Sequence, residues 1–260
     1  FTEKFIEAKY PQYFSPEIRP FIGEPWFPIK EGNDLMNEIK NEPDFFEQNR
    51  TIGENEEFIC QLIRNDSIEE FVRYITKTNY NIRNQIYTSI YETNLFLIKK
   101  PSSLIEYAAF FGSIQIFQYL KFNNVSFTPS LWLYSMHSGN PEIIHALEEN
   151  HVNFVNISYN QCLFEAIKCH SNDIANYIKN AYILINNENV RDIFINSLKY
   201  YNFDMVQNEL INNSAFVYLC QYNYFYIVDI LLKENGIDIN QIAILKKNYL
   251  IQFYYFIFQI

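Results

Sequence analysis

Cys162, Cys169 and His170 are the residues of this chain whose types and spacing come nearest to a metal site or a thiol–imidazole pair. A zinc site takes four ligands, usually in recognisable pairs. Here a fourth ligand is missing, and Cys60, Cys162, Cys169 and Cys220 contain no C-x-x-C pairing. Cys169 and His170 are adjacent, so on a helix they point about 100° apart. His137 and His170 fall where one helix should give way to the next, a place for a structural hydrogen bond. Cys60 and Cys220 sit at apolar-face positions and read as small hydrophobes. No Gly-rich phosphate loop, H-E-x-x-H or G-x-S-x-G occurs. The acid pairs Glu56-Glu57, Glu69-Glu70 and Glu148-Glu149 read as solvated helix faces. No catalytic residue, cofactor or metal is therefore expected. A closed polar pocket joining His170, Cys169 and a carboxylate would argue instead for an enzyme on a helical scaffold.

The elements that would position these residues follow from the totals and from a repeat. With 48% hydrophobic and 19% charged residues, the 260-residue chain has enough apolar surface for a core. The aromatic share of 18%, mostly Phe and Tyr, fits the compositional bias of an AT-rich genome and says little about chemistry. A formal net charge of -10 argues against gripping nucleic-acid phosphates or anionic membranes, and favours basic partners. Four unpaired-looking cysteines point to reduced thiols and a cytoplasmic setting. The first residues, FTEKFIEAKY, do not read as a secretory leader, and a start on Phe1 fits a fragment. The apolar run Tyr249 to Ile260 is shorter than the roughly 20 residues a membrane helix needs.

Ala108 to Leu120 reads AAFFGSIQIFQYL, and Ser135 to Leu147 reads SMHSGNPEIIHAL. Gly112 meets Gly139, Ile116 meets Ile143 and Leu120 meets Leu147, an interval of 139 − 112 = 27 residues. The frame recurs as His170, Ile174, Ile178; as Asn202, Val206, Leu210; as Asn223, Ile227, Leu231; and more weakly as Arg64, Ile68, Val72. The Gly, His or Asn should end one helix in the left-handed region. The aliphatics four and eight residues on should line one face of the next helix. Each unit is then an antiparallel helix pair that buries its stripe only against its neighbours. Helix starts agree. Ser103 to Glu106 and Ser67 to Glu70 read as capping boxes. Asn140-Pro141-Glu142 reads as an N-cap, a first-turn proline and a first-turn acid. Thr128-Pro129-Ser130 opens the helix carrying Trp132, for which core packing is expected over surface contact.

These residues resemble ankyrin repeats. Thr128-Pro129-Ser130-Leu131 partly matches the family's T-P-L-H opening; Ala108, Gly112, Ile116 and Leu120 match its continuation, as do Gly139, Ile143, Ile144 and Leu147. Val228 to Asn240 resembles its V-x-x-L-L-x-x-G-A-D-V-N ending. Residues 55 to 180 look like the divergent ankyrin-like domain of the large protozoan, trichomonad-type ankyrin-repeat family. That resemblance implies a protein-binding scaffold and carries over no catalytic residues.

The expected architecture is all-α: an ankyrin-like solenoid of stacked antiparallel helix pairs with an irregular N-terminal segment. Residues 1–55 form that Pro-containing segment, 56–240 the degenerate repeats, and 241–260 an apolar tail or incomplete repeat. The expected function is non-enzymatic protein–protein interaction with an unidentified partner, and no nucleic acid. The alternative is a membrane-associated adaptor using the tail. Binding is expected at the connector tips: Asn123, Asn124 and Phe127, and His151, Asn153 and Phe154.

Overall fold

A helix ends cleanly where one residue turns left-handed and the next two backbone N–H groups fold back onto the last carbonyls. The computed structural model, which describes residues 43–154, 157–183, 187–206 and 218–234, repeats this device along the chain. Positive φ occurs at Asp66, Gly112, Gly139, His170, Tyr201 and Asn223, each followed directly by another helical element. At Gly112 the amide of Ser113 donates to Ala108 O at 3.0 Å, and that of Gly112 to Ala109 O. The same pair of bonds recurs at Asp66, His170, Tyr201 and Asn223, while Gly139 makes only the single bond to Ser135 O. Asn124 and His151, also at positive φ, close the second helices of their pairs in the same way, and at Asn79 the amides of Asn79 and Tyr80 both donate to Ile75 O.

The chain is mostly helical and divides into two units between Leu131 and Trp132. The first holds α1 (Pro43–Ile52), α2 (Phe58–Arg64), α3 (Ile68–Thr78), β1 (Gln85–Ile86), α4 (Leu95–Ile98), β2 (Ser102–Ser103), α5 (Leu104–Phe111) and α6 (Ile114–Phe122). α2 pairs with α3 and α5 with α6; α2 lies on α5 and α3 on α6, like against like. β1 and β2, not anticipated from the sequence, form a two-residue antiparallel pair, Gln85 opposite Ser103 and Ile86 opposite Ser102. α1 falls within the stretch read as irregular. The remaining elements are α7 (Leu131–Ser138), which begins at the division, α8 (Pro141–Glu149), α9 (Tyr159–Lys168), α10 (Asn172–Tyr182), α11 (Asn187–Lys199), a 3-10 turn (Phe203–Met205) and α12 (Phe225–Glu234). In the second unit α9 pairs with α10 and packs on α11. Phe194, Leu198, Leu219, Tyr224 and Val228 form its last cluster.

The stripe aliphatics are where the spacing puts them. Ile116, Leu120, Ile143, Leu147, Ile174 and Ile178 are all buried, each contributing about 1.5–3 kcal/mol by leaving water. Two copies of the frame are displaced. The left-handed residue of the earliest is Asp66, not Arg64, and α3 buries Phe71 and Ile75 instead of Ile68 and Val72. Arg64 is kept in α2 because its guanidinium is tied down: Nε lies 2.7 Å from Glu54 Oε2, and it donates to Asn55 O and Tyr107 Oη. In the fourth copy Tyr201 turns left-handed, not Asn202, and a 3-10 turn follows in place of a full helix. Leu210, the side chain of Leu231, and the tail 241–260 lie outside the described residues. Among the described residues no helix is long and apolar enough to cross a membrane.

Helix starts divide by backbone angle. Ser103, Asn140 and Ser158 are extended, with ψ of 161°, 113° and 154°, and their side chains accept first-turn amides. Ser103–Glu106 is a closed capping box, and so is Ser158–Gln161, which the sequence reading passed over. Ser67, Ser113 and Ser171 have ψ of 71°, 78° and 66° and do not cap. The Ser67–Glu70 box is therefore not formed. A residue just past a two-bond left-handed turn is rotated away from its own helix, which leaves its side chain to reach elsewhere.

Glu92 is a buried carboxylate in the first unit, 4% exposed. Oε1 accepts the Asn94 amide at 2.8 Å, whereas Oε2 has no partner among the described residues. Burial pushes the carboxyl above its usual range, against smaller pulls from the Asn94 and Asn55 amides and Arg64; Glu54 adds to the rise. Stability that depends on the neutral form is present below the ordinary carboxyl value and lost as pH climbs through the raised one. Relative to Glu92→Gln, the wild-type chain should therefore lose stability as pH rises above the ordinary carboxyl range of about 4. Paired urea melts at each pH measure this, and a gap that does not change with pH would contradict it.

Candidate functional site

Two groups of side chains merit a functional reading: the connector residues and a thiol–imidazole–carboxylate cluster. In the first unit, Asn123 caps α6 and its side chain donates to Tyr119 O at 2.8 Å. Asn124 is the left-handed residue of the connector, and Arg83 from the preceding connector donates to its carbonyl. The Phe127 ring packs on Phe117 at 5.4 Å. In the second unit, His151 is left-handed and exposed, and Asn153 is exposed. Phe154 is half-buried, its ring stacked on Trp132 at 4.5 Å and tilted against Tyr159 at 4.1 Å. Tyr182 stacks on Tyr159, and Tyr177 and Tyr182 both donate hydroxyls to Glu148. Burial and this carboxylate push the Tyr182 hydroxyl upward.

The tips thus split by role. Phe127 and Phe154 serve packing, while Asn124, His151 and Asn153 face solvent. The most exposed aromatic among the described residues was missed. Phe122, at the end of α6, is 86% exposed. It stands two residues after Leu120, about 200° around the helix from the buried stripe, and that offset was the available signal.

The second group differs from the expected one. Cys162 is buried in the apolar face of α9, its thiol pushed up to about 12 by burial. His170 places Nε2 3.0 Å from Tyr200 O and leaves Cys169 alone. The imidazole that meets Cys169 is His137, from the last turn of α7: Sγ to Nδ1 is 3.3 Å. The other edge of that ring reaches Glu165, with Nε2 2.9 Å from Oε1. Lys168 Nζ lies 2.6 Å from the same oxygen. Burial of Glu165 opposes its ionisation, but hydrogen bonds from His137 and Lys168 overcome this and hold it at about 2.

Cysteine, histidine and carboxylate in sequence form the outline of a nucleophile with its base and orienting acid. The electrostatics run the other way. Burial, with Glu165 adding to it, pushes the Cys169 thiol up to about 12, so it stays protonated where a nucleophile needs a thiolate. Cys60 and Cys220 behave as hydrophobes, the first fully buried and the second packed on the Phe194 cluster. No family model, curated protein or solved structure matches the chain.

Proposed function

We propose that this chain is a non-enzymatic, cytoplasmic scaffold of the ankyrin-repeat type. It binds other proteins through its connectors and the helix ends beside them. One observation carries the reading: a ladder of ties between successive turns. The residue just after a left-handed turn donates its side chain to the carbonyl three residues before the previous left-handed residue. In the first unit Ser113 Oγ donates to Ile63 O. In the second, Ser171 Oγ donates to Met136 O at 3.0 Å, Asn202 Nδ2 to Ile167 O at 2.8 Å, and Tyr224 Oη to Leu198 O at 2.6 Å. A bond that recurs at the same place in the frame, made by serine, asparagine or tyrosine, supports stacked repeats over an irregular helical domain. Gly139 adds to this support: it turns left-handed, and a Cβ there would sit 3.0 Å from Ser171 Oγ, close enough that the hydroxyl would have to shift by a few tenths of an ångström.

Within a unit, a stack of this kind presents its connectors side by side, and exposed aromatics dominate the energetics of such surfaces. Phe122 is the strongest candidate, with Asn153 beside the second unit's connector. The test is affinity capture with quantitative mass spectrometry, comparing the wild type with Phe122→Ala and Asn153→Ala variants whose circular dichroism is unchanged. Loss of a hot-spot aromatic costs about 2 kcal/mol, roughly 30-fold in affinity, so at least one captured protein should be depleted to that degree. Identical recovery from wild type and variants would remove the connectors as the binding surface.

A further inference from the structure

We propose that His137, Glu165 and Cys169 bind a divalent transition metal, zinc by preference, with solvent as the fourth ligand. One ligating atom from each residue lies within 4.8 Å of the other two. Tetrahedral zinc, with bonds of about 2.0–2.3 Å, sets its ligands roughly 3.3–3.6 Å apart. Sγ and Nδ1 are already at 3.3 Å, while the carboxylate lies against the opposite ring nitrogen, so closing the set requires the Glu165 side chain or the His137 ring to rotate.

The carriers of these ligands are fixed. Glu165 and Cys169 are four residues apart at the end of α9, hence on one face. His137 comes from α7, and its neighbour Met136 accepts the Ser171 hydroxyl, two residues beyond Cys169. One hydrogen bond therefore ties the segment beside His137 to the segment just beyond Cys169, which helps preorganise the site. The side chains of His137 and Glu165 are 10% and 18% exposed, dry enough to strengthen charge interactions and open enough for an ion to enter.

The donor set suits the ion. Thiolate, imidazole and carboxylate together select a borderline-soft metal over magnesium or calcium. Among the described residues both close contacts to Glu165 fall on Oε1, which leaves Oε2 for the metal. Lys168 then remains on the other oxygen and orients the carboxylate, as outer-shell partners of metal ligands commonly do. On binding, the Cys169 S–H proton leaves to solvent and the sulfur lone pair forms the metal–sulfur bond; nothing is oxidised or reduced.

The experiment titrates the 260-residue chain with Co2+ and then Zn2+ while recording the absorption spectrum. One equivalent of Co2+ should give a thiolate-to-metal charge-transfer band with the visible bands of tetrahedral cobalt, and Zn2+ should bleach both. Cys169→Ser should abolish the charge-transfer band and weaken Zn2+ binding at least about 100-fold by calorimetry. Cys162→Ser and Cys220→Ser should leave the band intact. Glu165→Gln, with folding checked by circular dichroism, should also weaken binding. The absence of a band in the wild type, or a band that survives Cys169→Ser, would overturn the proposal.

Discussion

Trp132→Ala should lower the unfolding free energy of the second unit by about 3–5 kcal/mol. The indole is 1% exposed and is the largest fully buried side chain among the described residues. Three separate losses add up. The ring leaves its stack on Phe154 at 4.5 Å and its edge contact with Tyr182 at 6.5 Å. Its Nε1 no longer donates to Val152 O, 2.9 Å away in the connector after α8. The cavity left is too large for neighbours on regular helices to fill. Because the substitution removes a fluorophore, urea melts followed by circular dichroism are the suitable measure. A loss below about 1 kcal/mol, the range of surface substitutions, would mean that Phe154 and the connector do not close over the indole.

Asn202→Ala should cost about 2–3 kcal/mol, the next largest effect expected. Asn202 is 1% exposed, and its Nδ2 donates both to Ile167 O at 2.8 Å and to Asn172 Oδ1 at 2.7 Å. Removing it leaves the end of α9 with a buried carbonyl lacking this partner, and leaves a small void. Asn202→Asp keeps the volume but loses the donor and buries a charge, so it should cost no less than alanine. Equilibrium unfolding of both variants measures this. Wild-type stability in Asn202→Ala would show that the tie between turns contributes nothing and would remove the main support for stacked repeats.

The same residue shows how far the sequence could be read. Asparagine tolerates left-handed backbone angles, so Asn202 was the natural choice for the turn. The protein instead turns at Tyr201, 56% exposed, and accepts left-handed strain of about 1–2 kcal/mol. The next position is buried against the preceding turn, where Asn202 donates to Ile167 O and so fills the place of a rung. Gly112, Gly139, His170 and Asn223 carried no such conflict, and their places were legible. Ser103–Glu106 was legible because a capping box is local. Ser67 was misread because its rotation depends on the turn before it.

Pairings across turns were beyond reach for a different reason. Cys169 has two histidines to choose from, one adjacent and one 32 positions earlier. Only the register of α7 against α9 decides for His137, and no local signal encodes that register. The ring contacts of the connector aromatics Phe127 and Phe154 with Phe117 and Trp132 were out of reach on similar grounds, because only the packing of the helices sets which ring lies beside a loop aromatic.

Every rung of the turn ladder has the same polarity along the chain. The donor side chain always belongs to the later segment and the acceptor carbonyl to the earlier one, across 26 to 50 residues. As the polypeptide leaves the ribosome, each donor of this ladder meets an acceptor that is already in place. Assembly can therefore keep pace with translation, from the N-terminal side onward, without exposing long stretches of unpaired chain.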